Sequence, residues 1–233
     1  VGLLSSGNTL TEAKSDNETT ARIGKNVHLT TGNLDLQSIS VDNNISTAKL
    51  GSFGGIGIAL SKGETTTKSV TKAIIDDDAK LTITGKLDAD ANHTSKYNAK
   101  MLSLSGGIIS GSGGVVNNII DSTVNVNIGT GTKVTAGTMD ATATNKVEKN
   151  LGNDENVNAI AGGLIAGVMM KHDTELKLNT ATTIGNNAII KLTADDSVPS
   201  TPDAPSAPNV PNKFEAFQDI KIKDRVKFKA GGL

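Results

Sequence analysis

The amino-acid sequence predicts an all-β protein, a right-handed parallel β-helix built of about four repeats, each of roughly 52–56 residues. The first of the two observations behind this prediction is composition. Only 2 % of the 233 residues are aromatic, although 36 % are hydrophobic. A roughly spherical domain of this length normally needs large rings to fill its core, whereas a solenoid fills a narrow core with small and β-branched side chains. The composition therefore favours a solenoid.

The second observation is an internal repeat that shows at two independent anchors. The first anchor is an apolar residue in a Gly-rich segment, which occurs at Val1, Ile56, Ile108 and Leu164. Its position number increases by 55, then 52, then 56. The second anchor opens an alternating stretch and occurs at Val27, Leu81, Val134 and Ile190. Its position number increases by 54, then 53, then 56. Two anchors that keep in step indicate a repeat architecture.

Apolar and polar residues alternate within the repeats, which is typical of strands with one buried face. We expect one set of alternating side chains to fill a common core: Ile56, Ile58, Leu81, Ile83, Leu87, Val134, Ile190 and Leu192. Their neighbours Lys80, Lys86 and Lys191 are expected in solvent. Because a solenoid coil commonly has about 20 to 25 residues, a repeat of this length predicts two or more coils per unit.

A helix is the alternative for residues 158–170, which are rich in Ala, Leu and Met. The corresponding segments of the other repeats, Leu50–Leu60 and Met101–Val116, are rich in Gly, which helices tolerate poorly. Repeats usually share one structure, so strands are favoured in all of them. These apolar runs are also shorter than the roughly 20 residues of a membrane-spanning helix.

The last part of the chain is organised differently from the repetitive β-helix predicted for residues 1–196. All five prolines lie in the segment 197–212 at every third position, which predicts an extended linker or loop. Residues 213–233 are basic and alternate again, which predicts a β segment that resumes the β-helix and buries Ile220, Ile222, Val226 and Phe228. A basic patch for anionic host glycans or lipid is the alternative.

Charge and cysteine content exclude several classes of function. The net charge is −1, so the chain as a whole has no field that would attract nucleic acid or an anionic membrane. Without cysteine there are no disulfides, thiolate metal sites or cysteine nucleophiles, and the chain is compatible with export. It begins at Val1 without an initiator Met or a signal pattern, which suggests an internal fragment.

The residues that could carry chemistry do not form a recognisable site. His28, His93 and His172 lack metal-ligand spacing and are predicted at the solvated surface. The Asp76–Asp78 run could hold Ca²⁺, but a turn facing water is favoured. The segment Gly51–Gly57 lacks the Lys of a phosphate-binding loop.

Three repeated aspartates, Asp35, Asp88 and Asp140, could be imagined as the carboxylates of a glycosidase. A catalytic site is normally singular, so an aspartate in each repeat favours a structural ladder. The sequence thus predicts no catalytic residue, no metal, no cofactor and no enzymatic activity, and it identifies no partner-binding residue.

Four segments carry a family resemblance: Leu50–Leu60, Thr65–Lys72, Ala79–Asp88 and Thr132–Ala141. They resemble repeats of filamentous-haemagglutinin-type exoproteins, especially leukotoxin-type filamentous adhesins, over residues 1–196. The resemblance implies a right-handed parallel β-helix, two-partner secretion through an outer-membrane pore of a Gram-negative bacterium, and a secreted or cell-surface location. It also implies attachment to host cells or injury of them.

Three functions follow as hypotheses. The first is a structural and adhesive stalk of a surface filament, whose partner is a host-cell protein or glycan receptor. The second is a segment of a secreted, leukotoxin-like cytotoxin. The third is a polysaccharide-active β-helix enzyme, which would need a cleft with convergent carboxylates that the sequence does not reveal.

Overall fold

The computed structural model describes residues 2–149, 157–193, 212–222 and 226–231. These residues form parallel strands in three stacked sheets and contain no helix. The prediction of an all-β parallel solenoid is therefore confirmed. The Pro-rich segment, predicted as a linker or loop, lies outside the described residues except for Asn212.

The strands follow one another in four coils. The first coil has β1 (Leu4–Ile23), β2 (His28–Thr31) and β3 (Leu34–Phe53). The second has β4 (Ile56–Ile75), β5 (Lys80–Ile83) and β6 (Lys86–Gly106). The third has β7 (Ile109–Ile128), β8 (Lys133–Ala136), β9 (Thr138–Lys149) and β10 (Val157–Gly162). The fourth has β11 (Ile165–Ile184), β12 (Ile189–Leu192), β13 (Lys213–Lys221) and β14 (Val226–Gly231).

Each coil is wide and flat. Sheet A stacks β1, β4, β7 and β11, and sheet C stacks β3, β6, the pair β9 and β10, and the pair β13 and β14. The short sheet B, made of β2, β5, β8 and β12, closes one edge of the coil. At the opposite edge, which we call the tip, two residues connect sheet C to sheet A. Strands of 20 residues span roughly 66 Å at about 3.3 Å per residue.

The prediction of two or more coils per repeat is wrong, because each repeat forms a single coil. Leu4 pairs with Ile56, Ile56 with Ile109, and Ile109 with Ile165, one repeat apart each time. The faces of the coil are 20-residue strands, so one circuit uses a whole repeat. The longest distance between paired residues, from Ile109 to Ile165, has a local cause. Seven residues lie between β9 and β10, whereas only three residues of β6 lie between the positions that pair with these two strands.

The turn between sheets A and B recurs with the same backbone in every coil. Its third residue has a positive φ of 57 to 68°, at Asn26, Asp78, Gly131 and Asn187. Gly adopts this left-handed conformation freely, and Asn and Asp do so more readily than other side chains. The repeat of this backbone explains why turn residues of these types recur in register.

The core next to sheet B is apolar, as the sequence predicts. Leu81, Ile83, Leu87 and Val134 are at most 2 % exposed. Ile190 and Leu192, in the last coil, are partly buried against the same cluster. Lys80 and Lys191 are exposed, and Lys86 is partly exposed.

The expected burial of Ile56 and Ile58 is wrong. They are 36 % and 41 % exposed, and their smaller neighbours Gly57 and Ala59 face the interior. The two long sheets enclose a narrow space towards the tip that accepts small side chains. The larger alternating residues therefore lie on the outer face.

Much of the interior between sheets A and C is polar. Side-chain hydroxyls of one sheet donate hydrogen bonds to backbone carbonyls of the facing sheet, as Ser38 does to Thr19 at 2.9 Å and Ser103 to Ala59 at 2.7 Å. Asn44 likewise donates to the Thr67 hydroxyl at 2.7 Å. Buried polar groups must be hydrogen-bonded to avoid a desolvation cost. Small Ser and Thr side chains achieve this across a narrow gap, which explains the low aromatic content.

The basic segment pairs with the solenoid, since β13 runs parallel to β9 and β14 runs parallel to β10. The expected burial is wrong for Ile220 and Ile222, which remain 46 % and 42 % exposed. In the described residues, no further coil covers the fourth one. The side chains of Val226 and Phe228 lie outside the described part of the chain. Residues 158–170 form β10, a bend and the start of β11, so the helical alternative is excluded.

Candidate interaction surface

Two of the three histidines lie inside the solenoid, so their predicted place at the solvated surface is wrong. His93 is 1 % exposed, and its ring nitrogens lie 2.9 Å from Asp42 Oδ2 and 3.3 Å from Asn145 Oδ1. Asp42 also accepts a hydrogen bond from Asn17. Burial lowers the pKa of His93, and the Asp42 carboxylate partly opposes this shift. The cluster lies between two sheets, where no substrate can reach it, and it is a structural polar layer.

A second polar group inside the solenoid contains Lys149 and the partly buried His172. Lys149 is fully buried, and its Nζ lies 3.2 Å from Nε2 of His172. Burial lowers the pKa of Lys149 to about 8. Burial and the neighbouring Lys149 charge lower the pKa of His172 to about 4, against the attraction of Asp173. Only His28 of the three histidines is exposed, and it is on sheet B.

These two pKa shifts predict how stability depends on pH. Where the unfolded chain binds more protons than the folded one, stability rises with pH. For His172 this holds between about pH 4 and 6.5, and for Lys149 between about pH 8 and 10.5. We expect the free energy of unfolding to rise in both windows, by on the order of 2–3 kcal/mol in the upper one. Urea denaturation at a series of pH values measures it.

The variant Lys149→Met is the check on that assignment, because it removes the group that titrates in the upper window. The rise between pH 8 and 10.5 should disappear in this variant, whereas the rise at acidic pH should remain. A wild-type stability that does not change between pH 8 and 10 would contradict the lowered pKa of Lys149.

The acidic run Asp76–Asp78 has local partners. Asp76 pairs with Arg22 at 2.9 Å, and Oδ1 of Asp77 accepts a hydrogen bond from the backbone N–H of Thr130 at 2.8 Å. Asp78 has the positive φ of the turn. The described residues contain no group of three or more His, Asp or Glu that could hold a metal ion. These contacts connect the turn of the second coil to its neighbours in the first and third coils.

The three repeated aspartates form one column on sheet C, where Asp35 pairs with Asp88 and Asp88 with Asp140. Nζ of Lys86 lies 2.6 Å from Asp88 and 2.8 Å from Asp140. Hydrogen bonds to Asp140 and then to Asp88 raise the pKa of Lys86. The lysine thus offsets the repulsion between stacked carboxylates, and this column is the structural ladder that the sequence favours.

The glycine segment Gly51–Gly57 forms the tip of the first coil, and the tips of later coils are also glycine-rich. A Cβ at Gly107 would lie 2.2 Å from the carbonyl oxygen of Gly54, and one at Gly163 would lie 2.1 Å from that of Gly107. Stacked tips therefore approach too closely for a side chain. The glycines serve backbone packing, and no helix follows them as in a phosphate-binding loop.

Large apolar side chains surround the tip on its outer side. We call this surface the apolar ridge, and its members are each at least 36 % exposed: Leu3, Leu4, Phe53, Ile56, Ile58, Leu60, Ile108, Ile109, Leu164, Ile165 and Met169. Monomers rarely expose contiguous apolar patches of more than a few hundred Å², and larger patches mark interaction sites. The apolar ridge is therefore the candidate functional surface.

One column of the apolar ridge is aliphatic in all four coils: Leu4, Ile56, Ile109 and Ile165. The opposite edge of the coil differs, because its turns carry polar residues such as Lys25, Asp77 and Asn186. The exposed apolar residues in the middle of sheet C do not stack in this way, since Ile39 and Val41 of the first coil pair with Asn92 and Thr94 of the second. The apolar ridge is thus specific to the tip.

This surface was not predicted from the sequence, although the Gly-rich apolar segments that form it supplied the first repeat anchor. Two of its residues, Ile56 and Ile58, were expected in the core. The signal that separates the two faces is residue size, because Gly57, Ala59 and Ser61 are small and their neighbours Ile56, Ile58 and Leu60 are large. In a wide core the large residues would face inwards.

Lysines flank the apolar ridge on sheet C. Counted along the outward-facing positions of β3 away from the tip, Lys49 is the second after Phe53, and it is exposed. Lys100 in the next coil is one outward-facing position further from the tip. Lys227 and Lys229 are in β14, which pairs with β10, so their backbone positions are at the same end of sheet C. No Asp or Glu occurs in the described ends of the sheet C strands next to the tip, which are residues 45–53, 98–106, 157–162 and 226–231.

On sheet A, the lysines nearest the ridge are paired. Lys62 lies 2.6 Å from Glu64, and Lys171 lies 2.5 Å from Asp173. These acids neutralise the lysines of sheet A.

Comparisons with family models, curated proteins and solved structures find no match for this chain. In the described residues, no helix is long and apolar enough to cross a membrane.

Proposed function

We propose that this chain is a structural and adhesive stalk segment of a large secreted filament on a Gram-negative bacterial surface, and that it is not an enzyme. The observation that supports this most directly is the stacking of one coil per repeat in an unbroken parallel register. A solenoid of this kind is extended by adding repeats, and each repeat needs contacts only with its neighbours. Length is therefore gained without a new core.

The outer strands of the stack suit further coils. In the described residues, β1 and β11 each pair on one side only, which leaves 20-residue edges with unpaired backbone groups. Two columns of sheet A have opposite charges at their two ends. Lys14 is in the column of Glu175, and Asp16 is in the column of Lys177.

Three further columns also have a charged residue at each end. On sheet C, the column of Asp35 ends at Lys213. Like charges end two columns, Glu12 with Asp173 and Lys49 with Lys227. Glu12 has Lys14 within 2.5 Å, which offsets its repulsion. Opposite charges thus end three of these columns, which favours the stacking of the first coil of one such unit on the last coil of another.

The adhesive part of the proposal is supported by the apolar ridge. Because it runs parallel to the solenoid axis, every added coil with the same apolar tip lengthens it. Repeated weak contacts along one rod give a high overall avidity. The resemblance to filamentous-haemagglutinin-type exoproteins supports export through an outer-membrane pore and a host-cell surface as the partner.

Purified, fluorescently labelled chain added to host cells tests the proposal. We expect saturable binding to the cell surface, with no release of a cytosolic enzyme from the cells and no cleavage of polysaccharides in the medium. Lysis would instead support the cytotoxin hypothesis, and polysaccharide cleavage would support the enzyme hypothesis. If the chain does not bind to any host cell type that the bacterium colonises, the adhesive role is wrong.

A further inference from the structure

We propose that separate copies of this chain associate head to tail, with the fourth coil of one copy packed on the first coil of a second copy. The second copy would continue the three parallel sheets in the register of the internal repeats. This inference rests on the proposed function, because it extends the stacking of coils in a stalk from one chain to two molecules. It names the partner of both end faces, which is another copy of the chain.

The first argument is the size of the two end faces. In the described residues, β1 and β3 of the first coil and β11 and β13 of the fourth each pair with strands on one side only. Such open edges are templates for pairing with another chain. Each face is roughly 66 Å long, and packed sheets are about 10 Å apart, so stacking would cover roughly 1,300 Å² over both partners. Stable protein interfaces bury about 1,200–2,000 Å².

The second argument is a column of exposed charges on sheet A that alternates in sign from coil to coil: Asp16, Lys68, Asp121 and Lys177. Opposite charges at paired positions of neighbouring strands are stabilising, and like charges are destabilising. Because the described stack has four coils, the column begins with a carboxylate and ends with an ammonium group. A second copy in the same register would place its Asp16 beside Lys177. The alternation inside one chain would thus continue across the junction.

The neighbouring column on sheet A is charged only at its two ends: Lys14, Thr66, Ile119 and Glu175. Both end residues also have a partner in their own strand, since Lys14 pairs with Glu12 and Glu175 lies 3.0 Å from Lys177. At the junction, Lys14 would lie beside Glu175 and Asp16 beside Lys177. The order of the charges is reversed between the two strands, so each of these carboxylates would gain a second ammonium neighbour.

The third argument is the apolar interior next to sheet B. One inward column is aliphatic in all four coils: Leu29, Leu81, Val134 and Ile190. Stacking would pair Ile190 with Leu29 of the second copy, as such residues pair within the chain. Phe214 ends the column of Leu36, Ala89 and Ala141, and it is 42 % exposed. The second copy would cover Phe214 with its own Leu36, which removes apolar surface from water.

The polar interior of the first coil can be covered without the loss of hydrogen bonds. Asp42 accepts a hydrogen bond from Asn17 of the facing sheet, and Asn44 donates one to the Ser15 hydroxyl at 2.8 Å. These side chains therefore have partners within their own coil, so a covering coil does not leave them unsatisfied. Ile220 ends the column of Asp42, and it would pack over a carboxylate that is already buried.

Sedimentation velocity of the full chain over a range of concentrations tests the proposal. We expect the sedimentation coefficient to rise with concentration, because a head-to-tail interface does not close and adds one copy after another. The variant Glu175→Lys should weaken association about five- to tenfold, since two ammonium groups would meet at the junction. The variant Lys14→Glu should weaken it to a similar extent, because two carboxylates would meet there.

An equal mixture of these two variants should associate like the wild type. In the mixture, the ammonium group at position 175 of one variant meets the carboxylate at position 14 of the other, and the next junction has both natural residues. This rescue is specific to the proposed register, because no other contact joins these two positions.

The matched control is Lys80→Glu, which changes the net charge as Lys14→Glu does. Lys80 is exposed in the second coil, away from both end faces, so this variant should associate like the wild type. Circular dichroism and thermal melting show whether each variant is folded. If one of the two junction variants does not fold, the loss of association in the other, compared with Lys80→Glu, still decides the test.

Three results would overturn the proposal. The first is a sedimentation coefficient that does not change with concentration. The second is a mixture of folded variants that associates no better than each variant alone. The third is association that Ile56→Ser with Ile109→Ser abolishes and the charge variants leave unchanged, because the contact would then be at the apolar ridge.

The cell-binding experiment distinguishes this inference from the proposed function. A chain that stays monomeric and still binds host cells would contradict the inference and leave the adhesive stalk standing. A chain that stacks with the expected rescue but binds no host cell would support the inference and contradict the adhesive role.

Discussion

The variant His93→Ala should lower the free energy of unfolding by roughly 3–5 kcal/mol, because it opens a cavity and removes a hydrogen-bond donor from the buried Asp42 carboxylate. His93 and Asp42 are both almost fully buried, and Nε2 of the imidazole lies 2.9 Å from Oδ2 of the carboxylate. Without the imidazole, Asn17 is the one side-chain donor to Asp42 that remains among the described residues. The cavity left by the ring adds to this cost. Urea denaturation at pH 7 measures the loss.

His28→Ala is the matched control for this variant. His28 is exposed on the short strand β2, so its removal should change stability by no more than about 0.5 kcal/mol. If both variants are equally stable, the polar layer around His93 does not contribute to the fold as the structure indicates.

The variant Leu81→Ala should lower the free energy of unfolding by about 2–5 kcal/mol, the usual range for a truncated core leucine. Leu81 is 2 % exposed and belongs to the apolar cluster next to sheet B. The coils above and below hold Val134 and Leu29 at the paired positions, so the cavity cannot close easily. Thermal and chemical denaturation measure the change.

Ile58→Ala tests the same register from the outer face. Ile58 is 41 % exposed in the apolar ridge, so we expect a loss of less than about 1 kcal/mol. The two variants thus distinguish the buried apolar cluster from the outer surface. If Ile58→Ala cost as much as Leu81→Ala, the residues around the tip would face inwards, and the apolar ridge would not exist.

The repeat made the fold predictable. Two anchors with nearly equal steps establish stacking in register, and alternation at Leu81 and Ile83 establishes strands with a buried side. Both signals are local in the sequence, and both are confirmed. The number of coils per repeat was not predictable from the period alone. A whole repeat closes as one coil only because β1 and β3 are each 20 residues long and lie face to face.

The candidate surface shows a different limit. The sequence locates Ile56 and Ile58 in a repeated apolar segment, but alternation gives two faces and does not say which one is inside. In most sheets hydrophobicity decides this. Here the interior near the tip is narrow, and Gly57 and Ala59 fit where isoleucines do not. Steric space therefore outweighs hydrophobicity at these positions.

The buried polar layer depends even more on tertiary structure. His93 and Asp42 are 51 residues apart in the chain, and no spacing rule connects them. They meet because successive coils bring them inside the same narrow space, and each compensates the desolvation of the other. By itself, the sequence determined the repeat, the strands and their stacking, because periodicity is encoded locally. Only the tertiary structure decided the number of coils, the inner face near the tip and the polar partners, because these depend on the distance between the two sheets.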